Sequence, residues 1–423
     1  MDIDPTVTRA VLDAVDEQRI VALLSDLIAV PSLSGDETAG QQQVSELLAA
    51  TGVDVTRWEI DVDALSHHDW YSAEVDRSAA LGVLATYGAD DGPALLLNGH
   101  VDVVPPGTPS DWTTPPFEPV VRDGRVHGRG ACDMKGGLAA ALHALEVLVA
   151  LDVPLAGQVS LASVVGEEDG GCGTLALLDR GVRADGCIIM EPTALAVVPA
   201  VAGALSWRIR VRGLSAHGCL REEGVSAIEA FFGVHRAVIE LERRRNAAVD
   251  DPLFDWLDRP FAICGGRIAG GDWPSSEADW LVWEGRYGVA PGEDLHAARG
   301  MFESAVAAAA ADDPWLSTHP PTVEWWGGQF YPGRTSPDAD IVSAVRSAAT
   351  QVTGAAPPLR GMPYGCDLGL TTNLGGIPTV VFGPGDVRDA HRPDESVPIA
   401  DLAVVARTIA LTGLRFCGLA GGA

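Results

Sequence analysis

Short apolar runs that end in a polar corner, separated by longer helical stretches, constrain this chain more than any other feature. "LGVLATYG", "PALLLNGHVD" and "GQVSLASVVGEED" read as buried strands, and "KGGLAAALHALEVLVAL" between the last two reads as a helix. Ahead of them, Val21, Leu23, Leu24, Leu27 and Ile28 fall at helical spacing until Pro31 breaks the pattern, and a second helix follows near Gln41 to Ala50. This alternation predicts an α/β layer around a mostly parallel central sheet. In such a sheet the loops beyond the carboxyl ends of the strands carry the chemistry.

From about residue 201 the pattern changes. "SWRIRVRG" alternates strictly, with Trp207, Ile209 and Val211 on one face and Arg208, Arg210 and Arg212 on the other, as a half-exposed antiparallel strand does. A helix "VSAIEAFFGVHRAVIELERRRN", a strand "ADWLVWEGRYGV", an alanine-rich helix near 294–311 and "PTVEWWGG" complete a compact α+β unit. After "YPGRTSPDAD" the first pattern resumes, with a helix from about Ile341 and the strand "IPTVVFGPG". The expected organisation is one catalytic domain in two parts, 1–200 and 329–423, interrupted by an inserted domain at 201–328.

Composition narrows the classes. A chain of 423 residues, 47% hydrophobic, is long enough for a large core. Its formal charge of -29 argues against nucleic acid as a partner, because such binding needs clustered basic residues. The acidic N-terminus lacks a basic segment followed by an apolar one, and no window offers about 18 uninterrupted apolar residues, so neither an export signal nor a membrane span is expected. Seven scattered cysteines with no CxxC pair argue against a disulfide framework or zinc ribbon, and for a reducing cytoplasm. Lys135, in "GACDMKGG", is the one lysine among 29 basic residues.

Metal-type ligands recur at the element boundaries. "NGHVD" offers His100 and Asp102, "ACDMK" offers Asp133, "VGEED" and "MEPT" offer Glu167, Glu168 and Glu191, and "DAHRPDE" offers His391. Two histidines with several carboxylates suit zinc, cobalt or manganese, and the number of carboxylates favours a two-metal site. Taken singly, each has a plainer reading: Asp133 as a helix N-cap, Glu167 and Glu168 as a solvated charge run, His100 as a hydrogen-bonded turn residue. The complete set, in this order, is what points to metal chemistry.

The segments "NGHVDVVP", "GRGACDMKGG", "GEED", "MEPT" and "AHRPDE" resemble the motifs of the two-metal amidohydrolases and peptidases that include acetylornithine deacetylase, succinyl-diaminopimelate desuccinylase, aminoacylase and glutamate carboxypeptidase. The resemblance spans nearly the whole chain. It implies a zinc-peptidase-like α/β catalytic domain interrupted by an inserted α+β lid or dimerisation domain. It further implies two divalent ions bridged by Asp133, zinc with cobalt or manganese as alternatives, one held by His100 and Glu191 and the other by Glu168 and His391. Asp102 would orient the His100 ring, and Glu167, turned from the metals, would be the general base. His217 in "GLSAHG" would stabilise the oxyanion, either within its own chain or across a homodimer formed through the inserted domain, with a turn histidine as the plain alternative.

Two further candidates concern substrate. Arg286 in "EGRYG" is a candidate to grip a carboxylate, with a surface strand arginine as the plain alternative. Asp272 in "GGDWPSSEADW" stands where many relatives carry Asn, which favours a cationic substrate over an anionic one. Trp70, Tyr71, Trp273, Trp280, Trp325 and Trp326 are candidates to line an apolar pocket. The expected activity is removal of a small acyl group from an N-acyl amino acid or related amine. A dipeptidase or carboxypeptidase is the alternative, and a non-catalytic binding protein the remote one. Lys135 is expected to tie down nearby acidic loops rather than to catalyse.

Overall fold

The computed structural model of the chain describes residues 4–421. Its strands are β1 (Asp54–Glu59), β2 (Leu81–Gly88), β3 (Ala94–His100), β4 (Val120–Arg122), β5 (Arg125–His127), β6 (Gln158–Val164), β7 (Gly186–Ile189), β8 (Val197–Val201), β9 (Gly203–Arg212), β10 (Ile263–Gly270), β11 (Trp280–Val289), β12 (Thr322–Phe330), β13 (Gly333–Arg334), β14 (Leu359–Met362), β15 (Thr379–Val381) and β16 (Ser396–Pro398). Its α-helices are α1 (Pro5–Asp13), α2 (Glu17–Ala29), α3 (Thr38–Ala50), α4 (Val62–Leu65), α5 (Lys135–Ala150), α6 (Cys172–Asp179), α7 (Ala227–Ala247), α8 (Leu295–Ala311), α9 (Asp340–Thr353), α10 (Leu368–Asn373) and α11 (Ile399–Cys417). They divide between two compact units. The first comprises the chain through Ala200, Gly333–Gly361 and the chain from Cys366 onward; the second comprises Val201–Pro332 and Met362–Gly365. Among the described residues no helix is long and apolar enough to cross a membrane.

The first unit is built on a sheet of order β1-β2-β6-β3-β7-β15-β8-β13, with β14 beside β8. Its centre, β6-β3-β7-β15, is parallel, and β1, β2 and β8 add antiparallel pairings on either side. Leu95, Leu96, Leu97, Ile188 and Ile189 are buried, as a parallel sheet covered on both faces requires. Helix α5 is apolar around almost its whole circumference and is correspondingly a core helix, with Leu138, Leu142, Leu145 and Leu148 buried. Its first turn sits against the end of β7, because a Cβ on Gly137 would come 2.2 Å from the Met190 carbonyl oxygen.

Lys135 opens α5 and is fully buried. Its Nζ donates to the carbonyls of Leu27 at 2.8 Å and Val30 at 3.0 Å, which belong to the last turn and the C-cap of α2. The expectation that it ties down acidic loops is thereby corrected. The ammonium satisfies carbonyls that a helix end leaves without donors, at the negative pole of the helix dipole. Burial pushes its pKa down to about 7.

A second buried cation joins three segments. Arg77 donates through Nε and Nη2 to Glu37 Oε1 at 3.1 and 2.8 Å, and through Nη1 and Nη2 to Asp169 at 3.2 and 2.6 Å. The guanidinium lies over Gly166, whose Cβ, if present, would be 2.7 Å from Nη2. Gly170 likewise leaves room for Ser72, whose carbonyl oxygen would stand 2.4 Å from a Cβ there. Segment 72–77, which follows Trp70 and Tyr71, therefore packs directly on the 166–171 turn.

The second unit is an antiparallel sheet of order β10-β11-β9-β12. In β9, Leu205, Trp207, Ile209 and Val211 point into a core shared with Phe231 and Val234 of α7 and Phe302 and Val306 of α8. Trp207 meets Trp283 edge-on at 4.6 Å between ring centroids. On the outer face Arg208 pairs with Glu284 of β11, and Arg210 with Glu324 of β12. Three of the tryptophans expected to line a pocket here have local partners, since Trp325 packs on this core, Trp326 lies under Arg208 and Trp280 donates to Asp272, whereas Trp273 is 70% exposed.

Two stability outcomes are expected in chemical denaturation. Arg77→Met leaves Glu37 and Asp169 buried without their cation and lowers stability by about 3–5 kcal/mol. Lys135→Met leaves the Leu27 and Val30 carbonyls without donors and costs about 1–3 kcal/mol. Lys135→Arg is expected to destabilise as well, because the planar fork is larger than the ammonium its enclosed site accepts.

Candidate metal centre

Neighbouring parallel strands bring their carboxyl ends side by side, and the site residues leave from those ends. His100 is the last residue of β3, Glu167 and Glu168 follow β6, and Glu191 follows β7. Asp133 stands just ahead of α5, and His391 lies beyond β15 in left-handed backbone, at φ 56°. The structure brings these six together. Oδ1 of Asp133 is 3.3 Å from His100 Nε2, and Oδ2 is 3.3 Å from His391 Nε2, so one carboxylate presents one oxygen to each histidine. Glu191 Oε1 stands 3.4 Å from His100 Nε2, and Glu168 3.1 Å from His391 Nε2.

The plainer readings of Asp133 and of the acidic pair are excluded by this geometry, whereas His100 does hydrogen-bond within its own turn. The cap position of α5 is Met134, without a side-chain cap bond, so Asp133 is not an N-cap. Glu167 is only 6% exposed, so the acidic pair is no solvated charge run. Glu167 also faces the cluster rather than turning from it, with Oε2 4.0 Å from His100 Nε2.

Asp102 works through different atoms than expected. The His100 ring is held by the backbone carbonyl of Asp102, 2.9 Å from Nδ1, while the carboxylate is 3.6 Å away. A carbonyl only accepts, so Nδ1 carries a proton there, and Nε2 is the ring atom turned towards Asp133 and Glu191. The Asp102 carboxylate instead accepts the backbone N–H groups of Glu167 at 3.2 Å and Glu168 at 3.0 Å, fixing the turn that carries both.

Negative charge is concentrated where water does not reach. Burial, then the charge of Asp133, pushes Glu191 up to about 8. Burial, then Glu191 and the buried Asp367, raises Glu167 well above the ordinary carboxylate range. His391 is pushed up to about 11: burial works against its charge, but Glu168 and Asp133 outweigh it. Ligand atoms of His100, Asp133 and Glu168 lie within 4.8 Å of one another, as do those of His100, Glu167 and Glu191. The buried Oε1 atoms of Glu167 and Glu191 have no hydrogen-bond partner among the described residues. Oxygens left in that state are costly unless a positive group meets them, and divalent cations with oxygen and imidazole ligands fit this set.

His217, Arg286 and Asp272 belong to the second unit. His217 is exposed, and its Nδ1 accepts the Cys219 N–H at 3.2 Å. Arg286 donates to the Pro363 carbonyl at 2.7 Å. Asp272 is exposed and accepts the Trp280 indole N–H at 3.0 Å. Sequence reasoning missed Arg77, Arg129 and Glu395, whose contacts hold the ligand-bearing turns. Glu395 stood inside the quoted "DAHRPDE", but a carboxylate that binds backbone N–H groups has no sequence signature of its own.

Comparison with known proteins agrees with this geometry. The sequence profile of "Peptidase family M20/M25/M40" matches residues 96–414. The chain is 30% identical, over 96% of both sequences, to the N-formyl-4-amino-5-aminomethyl-2-methylpyrimidine deformylase of Halalkalibacterium halodurans. It is 32% identical to the acetylornithine deacetylase of Myxococcus xanthus, over 77% of this chain and 80% of that one. The fold is similar to that of human carnosine dipeptidase 1, with a TM-score of 0.75 at 17% identity over 98% of this chain and 99% of the other. The chain belongs to peptidase family M20/M25/M40, and is accordingly a metal-dependent hydrolase of amide bonds.

Proposed function

We propose that the protein removes a small acyl group, formyl foremost, from an acylated amine, using two divalent ions held by His100, Asp133, Glu168, Glu191 and His391. The observation that carries this reading is Asp133, whose two oxygens each face a different histidine at 3.3 Å. His100 and Glu191 would hold one ion, Glu168 and His391 the other, with zinc favoured and cobalt or manganese alternatives. Bound there, such ions supply Lewis acidity toward the acyl carbonyl and the attacking water. Glu167 takes the proton of that water at Oε1, the oxygen without a partner, and returns it to the leaving amine nitrogen. Burial, before any neighbouring charge, raises its pKa above the ordinary carboxylate range, the direction that suits a proton acceptor.

The second unit contributes the remaining roles. Since His217 Nδ1 accepts a hydrogen bond, its proton sits on Nε2, which makes the exposed ring a donor suited to an oxyanion. Among the described residues the Arg286 guanidinium donates only to the Pro363 carbonyl, leaving its other N–H groups for a substrate carboxylate. The exposed carboxylate of Asp272, beside the Trp280 indole, favours a cationic amine. Deformylase relatives acting on an aminomethyl-pyrimidine support a formylated heteroaromatic amine as the leading substrate.

We also assign homodimerisation to the second unit. Strand β10 is a free edge, exposed from Cys264 to Gly270, and Ile268 on it and Phe232 on α7 are each 55% exposed. An open edge with apolar neighbours is completed by pairing with the same edge of a second copy. Seven free cysteines, five of them buried, support a reducing cytoplasm as the site of action.

Elemental analysis and a substrate panel test the reading. Two divalent ions per chain are expected, with kcat/KM highest for N-formyl amines among N-formyl, N-acetyl and N-succinyl compounds and dipeptides, and with chelation abolishing turnover. A metal-loaded protein inert to all of them would refute the deacylase, and a large preference for dipeptides would make it a peptidase. Glu167→Gln is expected to keep its metal and lose about 10²–10⁴-fold in kcat; His217→Ala is expected to lose about 10²–10³-fold. Ile268→Lys is expected to convert a dimer to a monomer in sedimentation equilibrium.

A further inference from the structure

Glu395 is 1% exposed, and both of its carboxylate oxygens are spent on one turn. Oε1 accepts the backbone N–H groups of Cys132 at 2.9 Å and Asp133 at 3.0 Å. Oε2 accepts the N–H of Gly130 at 3.0 Å and Nη1 of Arg129 at 2.6 Å. The Glu395 carbonyl adds the N–H of Gly128 at 3.0 Å. A single residue thus binds the chain from Gly128 to Asp133 at five donors. Arg129, 2% exposed, neutralises the buried charge and also reaches the Pro105 carbonyl at 3.3 Å. Past Glu395 the chain continues into β16, where Ser396 pairs with His127 in β5.

The position of this residue gives the contacts a consequence. Glu395 stands four residues after His391, and the turn it binds ends at Asp133, whose carboxylate faces His391 at 3.3 Å. Besides the Glu395 carboxylate, the two turns are joined by the Gly128 N–H to the Glu395 carbonyl and by a long 3.5 Å contact from Arg129 Nη1 to the Arg392 carbonyl, so the carboxylate supplies most of the hydrogen bonds that span them. We infer that Glu395 is the positioning residue that sets the spacing of Asp133 from His391, and so the spacing of the two metal positions. This rests on the two-metal reading proposed above. Groups that orient metal ligands without touching the metal typically change affinity about 10–100-fold when altered.

Glutamine is the informative replacement. It has nearly the same shape, but its NH₂ group must face either the Cys132 and Asp133 amides or Gly130 and Arg129, donor against donor. Aspartate keeps the charge but is one methylene too short to reach both ends of the turn. Arg129→Met leaves the amide bonds in place.

The test uses Co²⁺ as the probe on full-length, metal-stripped protein. Co²⁺ affinities are measured by chelator competition, the visible d–d spectrum reports ligand geometry, and the melting temperature of the metal-free protein reports the fold. Wild type is expected to take up two Co²⁺ per chain. Glu395→Gln is expected to bind at least one of them about 10–100-fold more weakly with an altered spectrum, Glu395→Asp to show a smaller change of the same kind, and Arg129→Met to melt lower while keeping the wild-type spectrum. Folded Glu395→Gln with wild-type affinities and spectrum would overturn the assignment. Should that variant fail to fold, unchanged affinity and spectrum in Glu395→Asp would do the same. A wild-type protein that takes up fewer than two Co²⁺ would instead overturn the two-metal reading itself.

Discussion

Four largely buried carboxylates gathered around a buried imidazole, His100, and an exposed one, His391, are the constraint to which the rest of the first unit answers. Asp133, Glu167, Glu168 and Glu191 converge on His100 and His391 at distances of 3.1 to 4.0 Å. Burial first, and then the neighbouring like charges, raise the titration of Glu167, Glu168 and Glu191, which expresses the cost of gathering them here. A folded chain retains such a cluster only when cations or protons offset it and when the surrounding turns cannot move apart to relieve it. The first condition is the chemistry; the second is supplied by the turns.

The same device recurs at each of those turns. Asp102 binds the N–H groups of Glu167 and Glu168, and Glu395 binds those of Gly130, Cys132 and Asp133. Glu37 binds the N–H of Gly35, and Asp169 that of Val75, while Arg77 links the two carboxylates. Turns at the ends of parallel strands have backbone donors that the sheet leaves unused. A buried carboxylate satisfies several of them at once, so a set of separate loops becomes a rigid frame. Arg77 and Arg129 keep this affordable by meeting buried anions with buried cations.

Much of this was legible in the linear pattern because it follows from local rules. Apolar runs ending at His100 and near Glu167 announced parallel strands and the places where the candidate site residues leave them. The strict alternation in β9 gave both its buried face and the outward arginines that pair with Glu284 and Glu324. What stayed hidden was long-range partnership. Glu395 is more than 260 residues from the amides it binds, as its separation of 262 from Asp133 shows, and Glu37 and Asp169 meet only because Arg77 lies between them. Lys135 was misread for the same reason: its partners are carbonyls of α2, about a hundred residues earlier, and carbonyls leave no mark in a sequence.

By itself, then, the sequence determined the layered α/β architecture, the change of texture in the second unit and which histidines and carboxylates stand at the element boundaries, since periodicity and residue chemistry are properties of neighbours along the chain. Only the tertiary structure decided which atoms act: that the carbonyl of Asp102, not its carboxylate, holds the His100 ring, that Glu167 faces the cluster, and that Glu395 clamps the Asp133 turn. The physical reason is that hydrogen bonds are directional over about 3 Å. Which of two oxygens on one residue meets a donor depends on where the whole fold places that donor.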